Sequence, residues 1–361
     1  MENQHKFPYR WTLKDANFTK DKGKVFSCFA CGGGSTMGYK LAGYDVIGCN
    51  EIDPRMMKCY TANHHPKYSY CEDIRTFKLR KDLPEELYQL DILDGSPPCS
   101  SFSTVAGSRE KGWGKEKKFR EGQAEQVLDT LFFDFIDLAK ELQPKIVIAE
   151  NVKGLMLGNA IKYVTRIYDE FERAGYTLCH TLCDASAMGV PQRRPRVFFT
   201  AIRNDLLHKI PTTQNLFSTV PLIDLEFSEK PIPFRDFYQP GVDDRPIKKG
   251  LMYDLWEKRQ PGDTVMYQIA ERVKGKPSCF SNRFIITDDV CPTLTAQVGG
   301  FFLFDEFRYP NKDEVSCIAS FPSDYDFCGE PYFYVCGMSV PPVMMAQVSS
   351  RVYDQWLSKL G

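Results

Sequence analysis

The feature that most constrains this chain is an alternation that begins at Lys24, in which short apolar runs end in glycine or polar clusters and are followed by helical stretches. Such alternation is typical of a parallel sheet with helices on both faces. Strands are predicted at residues 25–29, 46–49, 91–94, 146–149 and 197–202. We therefore predict an α/β fold built on a doubly wound, mostly parallel sheet.

Two amphipathic helices are predicted from apolar residues at helical spacing. The first stops near Pro144, and its stripe comprises Val127, Leu131, Phe135, Leu138 and Leu142. The second closes the chain, and its stripe comprises Met345, Val348, Val352, Trp356 and Leu360. The C-terminal segment is therefore expected to return and complete the first domain.

The stretch 204–287 breaks this rhythm, because it is rich in proline, aromatic and basic residues and has no strong period. Positions 245–276 hold eight Lys or Arg residues against four Asp or Glu residues, an excess that suits phosphate contacts. We interpret 204–287 as an inserted, substrate-reading domain; a solvated surface insertion is the alternative. Residues 1–203 and 288–361 then form the two parts of the larger domain.

Charge, hydropathy and cysteine content limit the classes of protein to which this chain can belong. A formal net charge of -1 gives no overall attraction to a polyanion, so nucleic-acid binding would have to come from local patches.

No apolar run approaches the roughly 18 residues of a membrane helix, and the N-terminus lacks a signal-peptide core. The thirteen cysteines are therefore interpreted as reduced thiols of a cytoplasmic protein. Cys28 and Cys31 form a C-x-x-C pair without a second pair at zinc spacing, so no metal site is expected.

In open α/β sheets, ligands bind at the carboxyl ends of the strands. The first predicted strand ends in a glycine turn at residues 29–34, which lets backbone approach a ligand closely, although glycine turns without a ligand are common. The second ends at Glu51, at a spacing from the glycines that suits an acid binding ribose hydroxyls. Asp73 lies in the same region, where a helix cap is the alternative role. Together these residues indicate a nucleoside-containing cofactor.

The third and fourth strands end in residues that suit covalent catalysis. Pro97 and Pro98 stiffen the loop that projects Cys99 from a strand end, where a nucleophile is expected. Glu150 follows the fourth strand and adds a proton donor on the same rim. Such a pair can attack a ring carbon while protonating a ring nitrogen.

Three arginines, Arg193, Arg194 and Arg196, precede the fifth strand. Arginines so close to a strand start are costly unless they meet an anion or carboxylates, and the alternative is a solvated basic turn. Beside Cys99 and Glu150, we interpret them as groups that orient the base and its negative charge.

In this order, the residues resemble the cytosine-5 DNA methyltransferase family over most of the chain outside the inserted domain. The set that carries the resemblance is the 29–34 turn, Glu51, Asp73, Pro97-Pro98-Cys99, Thr130 to Asp134, Glu150-Asn151-Val152, Gln192 to Arg196 and Gly337-Met338-Ser339-Val340.

The resemblance implies a sheet of the S-adenosylmethionine-dependent methyltransferase type. The residues that it places at the cofactor are Phe29, Ala30, Gly32, Gly34, Glu51, Ile52, Asp73, Ile74, Pro98, Leu131, Ser339 and Val340. Glu51 is expected at the ribose and Asp73 at the adenine amino group. Cys99 is expected to add to C6 of a flipped cytosine and Glu150 to engage its N3. Arg194 and Arg196 are expected to hold the base and the surroundings of Cys99.

The implied partner is double-stranded DNA, read by residues 204–287 as the target-recognition domain. A monomer of prokaryotic or phage origin is expected, with a cognate restriction endonuclease acting separately. Three residues depart from the family pattern and bear on cofactor affinity: Cys31 replaces a usual glycine, Met338 a usual asparagine, and Ile52 a frequent aromatic residue.

Four other functions would each explain part of this set of residues. An enzyme that methylates an exocyclic amine has a similar Ser-Pro-Pro element, but it needs no covalent adduct and Cys99 argues against it. RNA as the substrate and a catalytically inactive DNA-binding paralogue both stay open. A nicotinamide-dependent oxidoreductase would explain the sheet and Glu51, but not Cys99 or Glu150.

Overall fold

The computed structural model describes residues 5–98, 130–157, 160–214, 219–276, 278, 280–297 and 299–361. The expected nucleophile, Cys99, and the first stripe residue, Val127, lie outside these ranges. No helix within them is long and apolar enough to cross a bilayer.

One seven-stranded sheet dominates the described part of the chain. Its strands are β1 (Lys24–Cys28), β2 (Asp45–Asn50), β3 (Tyr68–Tyr70), β4 (Ile92–Gly95), β5 (Ile146–Val152), β6 (Tyr176–Asp184) and β7 (Pro195–Arg203). In space the order is β3-β2-β1-β4-β5-β7-β6. The first five strands of this order run parallel, and β7 is antiparallel to both β5 and β6. The predicted doubly wound, mostly parallel sheet is confirmed.

All five predicted strands are present, with ends that differ by a few residues. β3 and β6, the two edge strands of the sheet, were not predicted from the sequence. β3 has three residues, too few to show a period, and the middle of β6 is mostly exposed or half-buried. Edge strands bury less apolar surface, so their hydrophobic signal is weaker.

Helices cover both faces of the sheet. The helices are α1 (Gly34–Leu41), α2 (Pro54–His64), α3 (Ile74–Phe77), α4 (Leu131–Leu142), α5 (Ile161–Arg173), α6 (Leu251–Trp256), α7 (Met266–Lys274), α8 (Lys312–Ile318), α9 (Tyr332–Met338) and α10 (Pro342–Gln355). α1 and α10 pack on one face in a cluster that includes Tyr39 and Val348. α4 and α5 pack on the other face in a cluster that includes Phe135 and Phe171.

The two predicted helices are both present, with one correction. The described stripe of α4 is buried, and the helix ends before Pro144, as predicted. The last helix is shorter than predicted, because α10 ends at Gln355 and Trp356 leaves helical geometry. The Trp356 indole N–H donates to the Leu222 carbonyl at 2.8 Å, which holds this side chain in the core beyond the helix end.

Residues beyond β7 form the remaining small elements, including β8 (Thr212–Gln214), β9 (Thr219–Pro221), β10 (Arg283–Ile285) and β11 (Phe301–Leu303). Ile210 and Leu225 join the cluster of α1 and α10. One further cluster contains Phe234 and residues of α9 together with Met37 of α1, and another contains Ile269 and Phe302 of β11. The boundaries at 204 and 287 stay predictions.

Candidate active site

The direction of β7 brings two predicted groups together. Because β7 is antiparallel to β5, the beginning of β7 lies beside the carboxyl end of β5, with Arg196 paired to Val152. The arginines that precede β7 in sequence therefore lie on the same rim as Glu150. This is the rim at which parallel strands of such sheets bind ligands.

Glu150 and Arg196 form a buried ion pair. The Arg196 Nε lies 2.7 Å from the Glu150 Oε1, and Glu150 is 8% exposed. Burial lowers the pKa of Arg196, and the Glu150 carboxylate opposes that shift. Removing one partner would leave a buried charge uncompensated, so this pair fixes the orientation of the carboxyl group.

A buried hydrogen bond joins the ends of β4 and β5. The Asn151 side-chain Nδ2 donates to the Pro97 carbonyl at 3.0 Å. Pro97 is the second residue before Cys99 in the sequence. The residue after Glu150 thus holds the chain that leads to the predicted nucleophile, a role that the sequence analysis did not assign.

A cleft of about 730 Å³ opens beside this rim. Its lining includes the charged side chains Lys153, Arg196 and Arg283, together with polar groups such as Thr295 and Gln297. Lys153 and Arg283 are exposed. Among the described residues that line the cleft, none is acidic. The cleft therefore favours an anionic ligand with hydrogen-bonding edges.

The glycine turn, residues 29–34, is held by a buried carboxylate. Glu51 accepts the Cys31 backbone N–H at 2.7 Å with Oε2 and the Asp53 backbone N–H at 2.8 Å with Oε1. Burial raises the pKa of Glu51, while these two hydrogen bonds counter the shift. Glu51 thus lies at the turn, as predicted, and its orientation is fixed by backbone.

Cys31 adopts a backbone conformation that favours glycine. Its φ of 47° lies in the left-handed region, where a side chain brings strain. This geometry gives a physical reason for the glycine that is usual in the family at this position. Burial also raises the pKa of the Cys31 thiol to about 12, so at neutral pH it is protonated and a poor nucleophile.

Residues 337–340, which we call the cofactor wall, pack directly on the glycine turn. A Cβ atom at Gly34 would lie 2.1 Å from the Val340 carbonyl oxygen, and one at Gly32 would lie 2.5 Å from Val335 Cγ1. The Ser339 hydroxyl, buried beside the Cys31 thiol, has no oxygen or nitrogen partner among the described residues. Close backbone approach beside a free hydroxyl suits a ligand with a polar chain.

Asp73 is a helix cap, which is the alternative role that the sequence left open, and its contact with a cofactor stays a prediction. Its side chain caps α3 through the Arg75 N–H, and its Oδ2 lies 2.6 Å from the Arg75 Nη2. Partial burial raises the pKa of Asp73, but the bonds to Arg75 outweigh that effect and leave the pKa below its usual value. Asn50 ties this region to β2, because its Nδ2 donates to the Tyr70 and Glu72 carbonyls.

The other predicted cofactor residues surround the same end of the sheet. Ala30, Ile74, Leu131 and Val340 are buried, whereas Phe29, Ile52 and Pro98 are half-buried. The Phe29 ring packs on Phe135 of α4 with centroids 6.3 Å apart. Met338 is exposed.

Asp94 is a buried acid that the sequence analysis did not assign. Its carboxylate accepts from the Ser27 hydroxyl at 2.7 Å and from the Tyr39 hydroxyl at 3.2 Å. Burial raises the pKa of Asp94 to about 7, against the lowering effect of these bonds. Its position after an apolar strand was visible in the sequence, but burial of the carboxyl group was not.

Arg194 is buried, and four of its described hydrogen bonds go to protein oxygens rather than into the cleft. It therefore differs from Arg196, whose side chain lines the cleft. Within the described residues, no group of three or more His, Cys, Asp and Glu side chains suits a metal ion.

A protein-family model described as C-5 cytosine-specific DNA methylase matches residues 23–277. Among curated proteins, the chain is 36% identical over 183 residues to the type II methyltransferase M.FnuDI of Fusobacterium nucleatum, covering 51% of this chain and 48% of that protein. It is 30% identical to M.Bsp6I of a Bacillus species over 76% of this chain and 78% of that protein. The chain spans about half the length of the first curated relatives it matches.

Solved structures of similar fold include a prophage-encoded DNA modification methyltransferase from E. coli, with a TM-score of 0.61 and 21% identity over 92% of this chain and 99% of that chain. A DNMT2 mutant from Spodoptera frugiperda has a TM-score of 0.60 and 16% identity over 91% of this chain and 99% of that chain. These two similarities concern the fold.

Proposed function

The chain belongs to the C-5 cytosine-specific DNA methylase family, and on that premise we propose that it methylates C5 of a flipped cytosine in a specific duplex DNA sequence, using S-adenosylmethionine and a covalent bond from Cys99 to C6. The observation that carries the proposal is the arrangement on the β5 rim. There the Glu150–Arg196 pair adjoins Asn151, which holds the Pro97 carbonyl. Two residues of extended chain span at most about 7 Å, so Cys99 can be no farther than that from Pro97.

Each residue then has a chemical role. Addition of the Cys99 thiolate to C6 pushes electrons toward the ring N3, where the Glu150 carboxyl group supplies a proton. C5 becomes nucleophilic and takes the methyl group. A water molecule then takes the C5 proton, the C5–C6 double bond forms again, the N3 proton returns to Glu150, and the bond from sulfur to C6 breaks to release the Cys99 thiolate. Arg196 keeps Glu150 in place through its ion pair and offers a positive charge to the base.

The glycine turn and the cofactor wall suit S-adenosylmethionine. Glycines at 32 and 34 leave no room for a Cβ, and the Ser339 hydroxyl beside them lacks an oxygen or nitrogen partner among the described residues. Glu51 would hold the ribose, and Asp73 would lie at the adenine. When bound, this cofactor supplies the methyl group as an electrophile. The chain itself orients the reacting groups and keeps water away from them.

The cleft supports DNA as the substrate. Lys153 and Arg283 place positive charge on two sides of a cleft whose described lining has no acidic residue, which suits phosphates. We assign the reading of the DNA sequence to residues 204–287. The relatives include type II methyltransferases and phage orphan methyltransferases, so an endonuclease partner that acts separately is part of the proposal.

The experiment is methyl transfer from labelled S-adenosylmethionine to mixed-sequence duplex DNA and, in parallel, to RNA. Digestion and mass spectrometry identify the product base. We expect 5-methylcytosine in DNA. Methylation of an exocyclic amine, or of RNA alone, would contradict the proposal, and absence of incorporation into either polymer would favour an inactive paralogue.

A further inference from the structure

Arg194 lies deeper than its neighbours and does not itself line the substrate cleft. It is 2% exposed, and its guanidinium donates to the backbone carbonyls of Leu294, Gly337 and Ser339 at 3.0 to 3.1 Å. A fourth bond reaches the Gln192 side chain at 3.3 Å. Burial lowers the pKa of Arg194 to about 9, so the group still carries its charge at neutral pH.

Two of those carbonyls belong to the cofactor wall. Both the Gly337 and the Ser339 oxygen accept from the same nitrogen, Nη2. The next residue, Val340, presents the carbonyl that lies against Gly34 of the glycine turn. A displacement of the wall at Arg194 would therefore be passed directly to the cofactor side.

The cleft side is less dependent on this arginine. Leu294 and Gly337 both line the cleft, but each has a second connection. The Leu294 backbone N–H donates to Gln192 Oε1 at 2.9 Å, and Gly337 packs on the Thr295 backbone, where a Cβ atom would lie 2.5 Å from the carbonyl oxygen. Gln192 is itself fixed through the Ile318 carbonyl at 3.1 Å. Arg196, which does line the cleft, is paired with Glu150.

We propose that Arg194 is a positioning residue for the cofactor, which holds the cofactor wall against the glycine turn, and that it acts through this wall rather than on the target base. This inference rests on the proposed function, since it assumes that the wall and the turn bind S-adenosylmethionine. It replaces the role expected from the sequence, in which Arg194 oriented the base. The planar fork matters, because one guanidinium spans carbonyls on two separate segments.

The chain offers a matched control in Arg193, which does not line the cleft and is bound to Asp289 and Val290, so the base-orienting role expected from the sequence does not apply to it. That side chain is half exposed and also binds a later segment, through an ion pair with Asp289 and a hydrogen bond to the Val290 carbonyl. It lies on the same loop and is the same residue type, but its described bonds do not reach the cofactor wall. Lysine substitution keeps the charge at both positions and removes the fork.

The test measures binding of S-adenosylhomocysteine by calorimetry, without DNA, in Arg194→Lys and Arg193→Lys. We expect the dissociation constant to rise about tenfold or more in Arg194→Lys, because several charge-assisted bonds are lost, and to stay near wild type in Arg193→Lys. DNA affinity should change little in either variant. A loss of turnover or DNA affinity in Arg194→Lys with normal cofactor binding would overturn the inference, as would equal losses in both variants.

Two further outcomes are separable. If the wild-type protein does not bind S-adenosylhomocysteine, the proposed function fails and with it the premise of this inference. If Arg194→Lys does not fold, hydrogen exchange of the wild-type protein decides the matter. S-adenosylhomocysteine should then slow exchange at residues 337–340, and the absence of any slowing there would overturn the proposal.

Discussion

Around the glycine turn, the groups that would meet a ligand are backbone atoms fixed by buried side chains, whereas the cleft beside β5 is lined by charged side chains that are exposed or half-buried. Glu51 accepts hydrogen bonds from two backbone N–H groups, and Gly34 packs against the Val340 carbonyl oxygen. Across the rim, Lys153 and Arg283 face solvent. The proposed cofactor side is therefore organised by backbone contacts within the protein, while the proposed substrate side depends on a few side chains and, in the proposed mechanism, on Cys99.

The two sides also differ in charge and in burial. On the cofactor side, burial raises the pKa of Glu51 and Asp94, so both acids are held in a poorly solvated region. The described lining of the cleft carries positive charge and no acid. A buried region that contains acids and an exposed, positively charged cleft should respond differently to substitution.

The largest effect is expected for Cys99→Ser on the substrate side. A serine hydroxyl is far less nucleophilic than a partly ionised thiol, so methyl transfer should fall by at least about a thousandfold. Binding of S-adenosylhomocysteine, measured by calorimetry, should stay near wild type because the cofactor side is built separately. Turnover near the wild-type rate would show that Cys99 is not the nucleophile.

Glu150→Gln should lower kcat by about a hundredfold to ten-thousandfold, since the amide keeps the shape of the side chain but cannot supply the proton. DNA affinity, from fluorescence anisotropy, should change much less. Glu170→Gln is the matched control, because the Glu170–Arg173 pair lies on the surface and such pairs contribute little. A larger effect on DNA binding than on kcat would contradict the assigned role.

Gly34→Ala tests the cofactor side. The new Cβ would lie 2.1 Å from the Val340 carbonyl oxygen, so the turn or the wall must shift. Overpacking of about 1–3 kcal/mol predicts a weakening of S-adenosylhomocysteine binding by about tenfold or more. Gly250→Ala, at a position where a Cβ meets nothing within 4 Å, should bind as the wild type does. Equal affinities in the two variants would refute close packing of the turn.

Per pH unit, the smallest effect is the pH dependence that comes from Asp94. Because burial raises its pKa from 3.8 to about 7, the folded protein holds a proton there that the unfolded chain has lost. The wild-type free energy of unfolding, relative to Asp94→Asn, should therefore fall by about 1.4 kcal/mol per pH unit as pH rises between these values, and level off above about 7. Urea unfolding of both proteins checks this. A difference that is independent of pH would mean that Asp94 ionises normally.

The sequence was sufficient to predict five strands of the sheet, because their cores are apolar runs followed by polar or glycine clusters. It was not sufficient for β3 and β6, the edge strands, whose apolar signal is weak. It also placed the arginine motif near a strand start without indicating that β7 is antiparallel, which is what brings Arg196 to Glu150. Strand direction depends on the connections of the whole sheet, and no local pattern encodes it.

The same limit applies to individual side chains. Residue type and position selected Arg194 as a group for the base, but burial turned its donors toward three backbone carbonyls. The bond from Asn151 to Pro97 joins residues far apart in the chain, and nothing in the sequence pairs them. The position of Glu51 at the glycine turn was predictable from its spacing along the chain, and its role at a ribose stays a prediction.

The most direct test of the central claim is a covalent trap. Duplex DNA in which 5-fluorocytosine replaces cytosine is incubated with the protein and S-adenosylmethionine, then denatured and analysed by mass spectrometry. Fluorine cannot leave C5 as a proton does, so the account predicts a protein–DNA adduct that survives denaturation, maps to Cys99 and is absent in Cys99→Ser. If the wild-type protein methylates ordinary DNA but yields no such adduct, or yields one at another residue, the covalent mechanism at Cys99 is wrong.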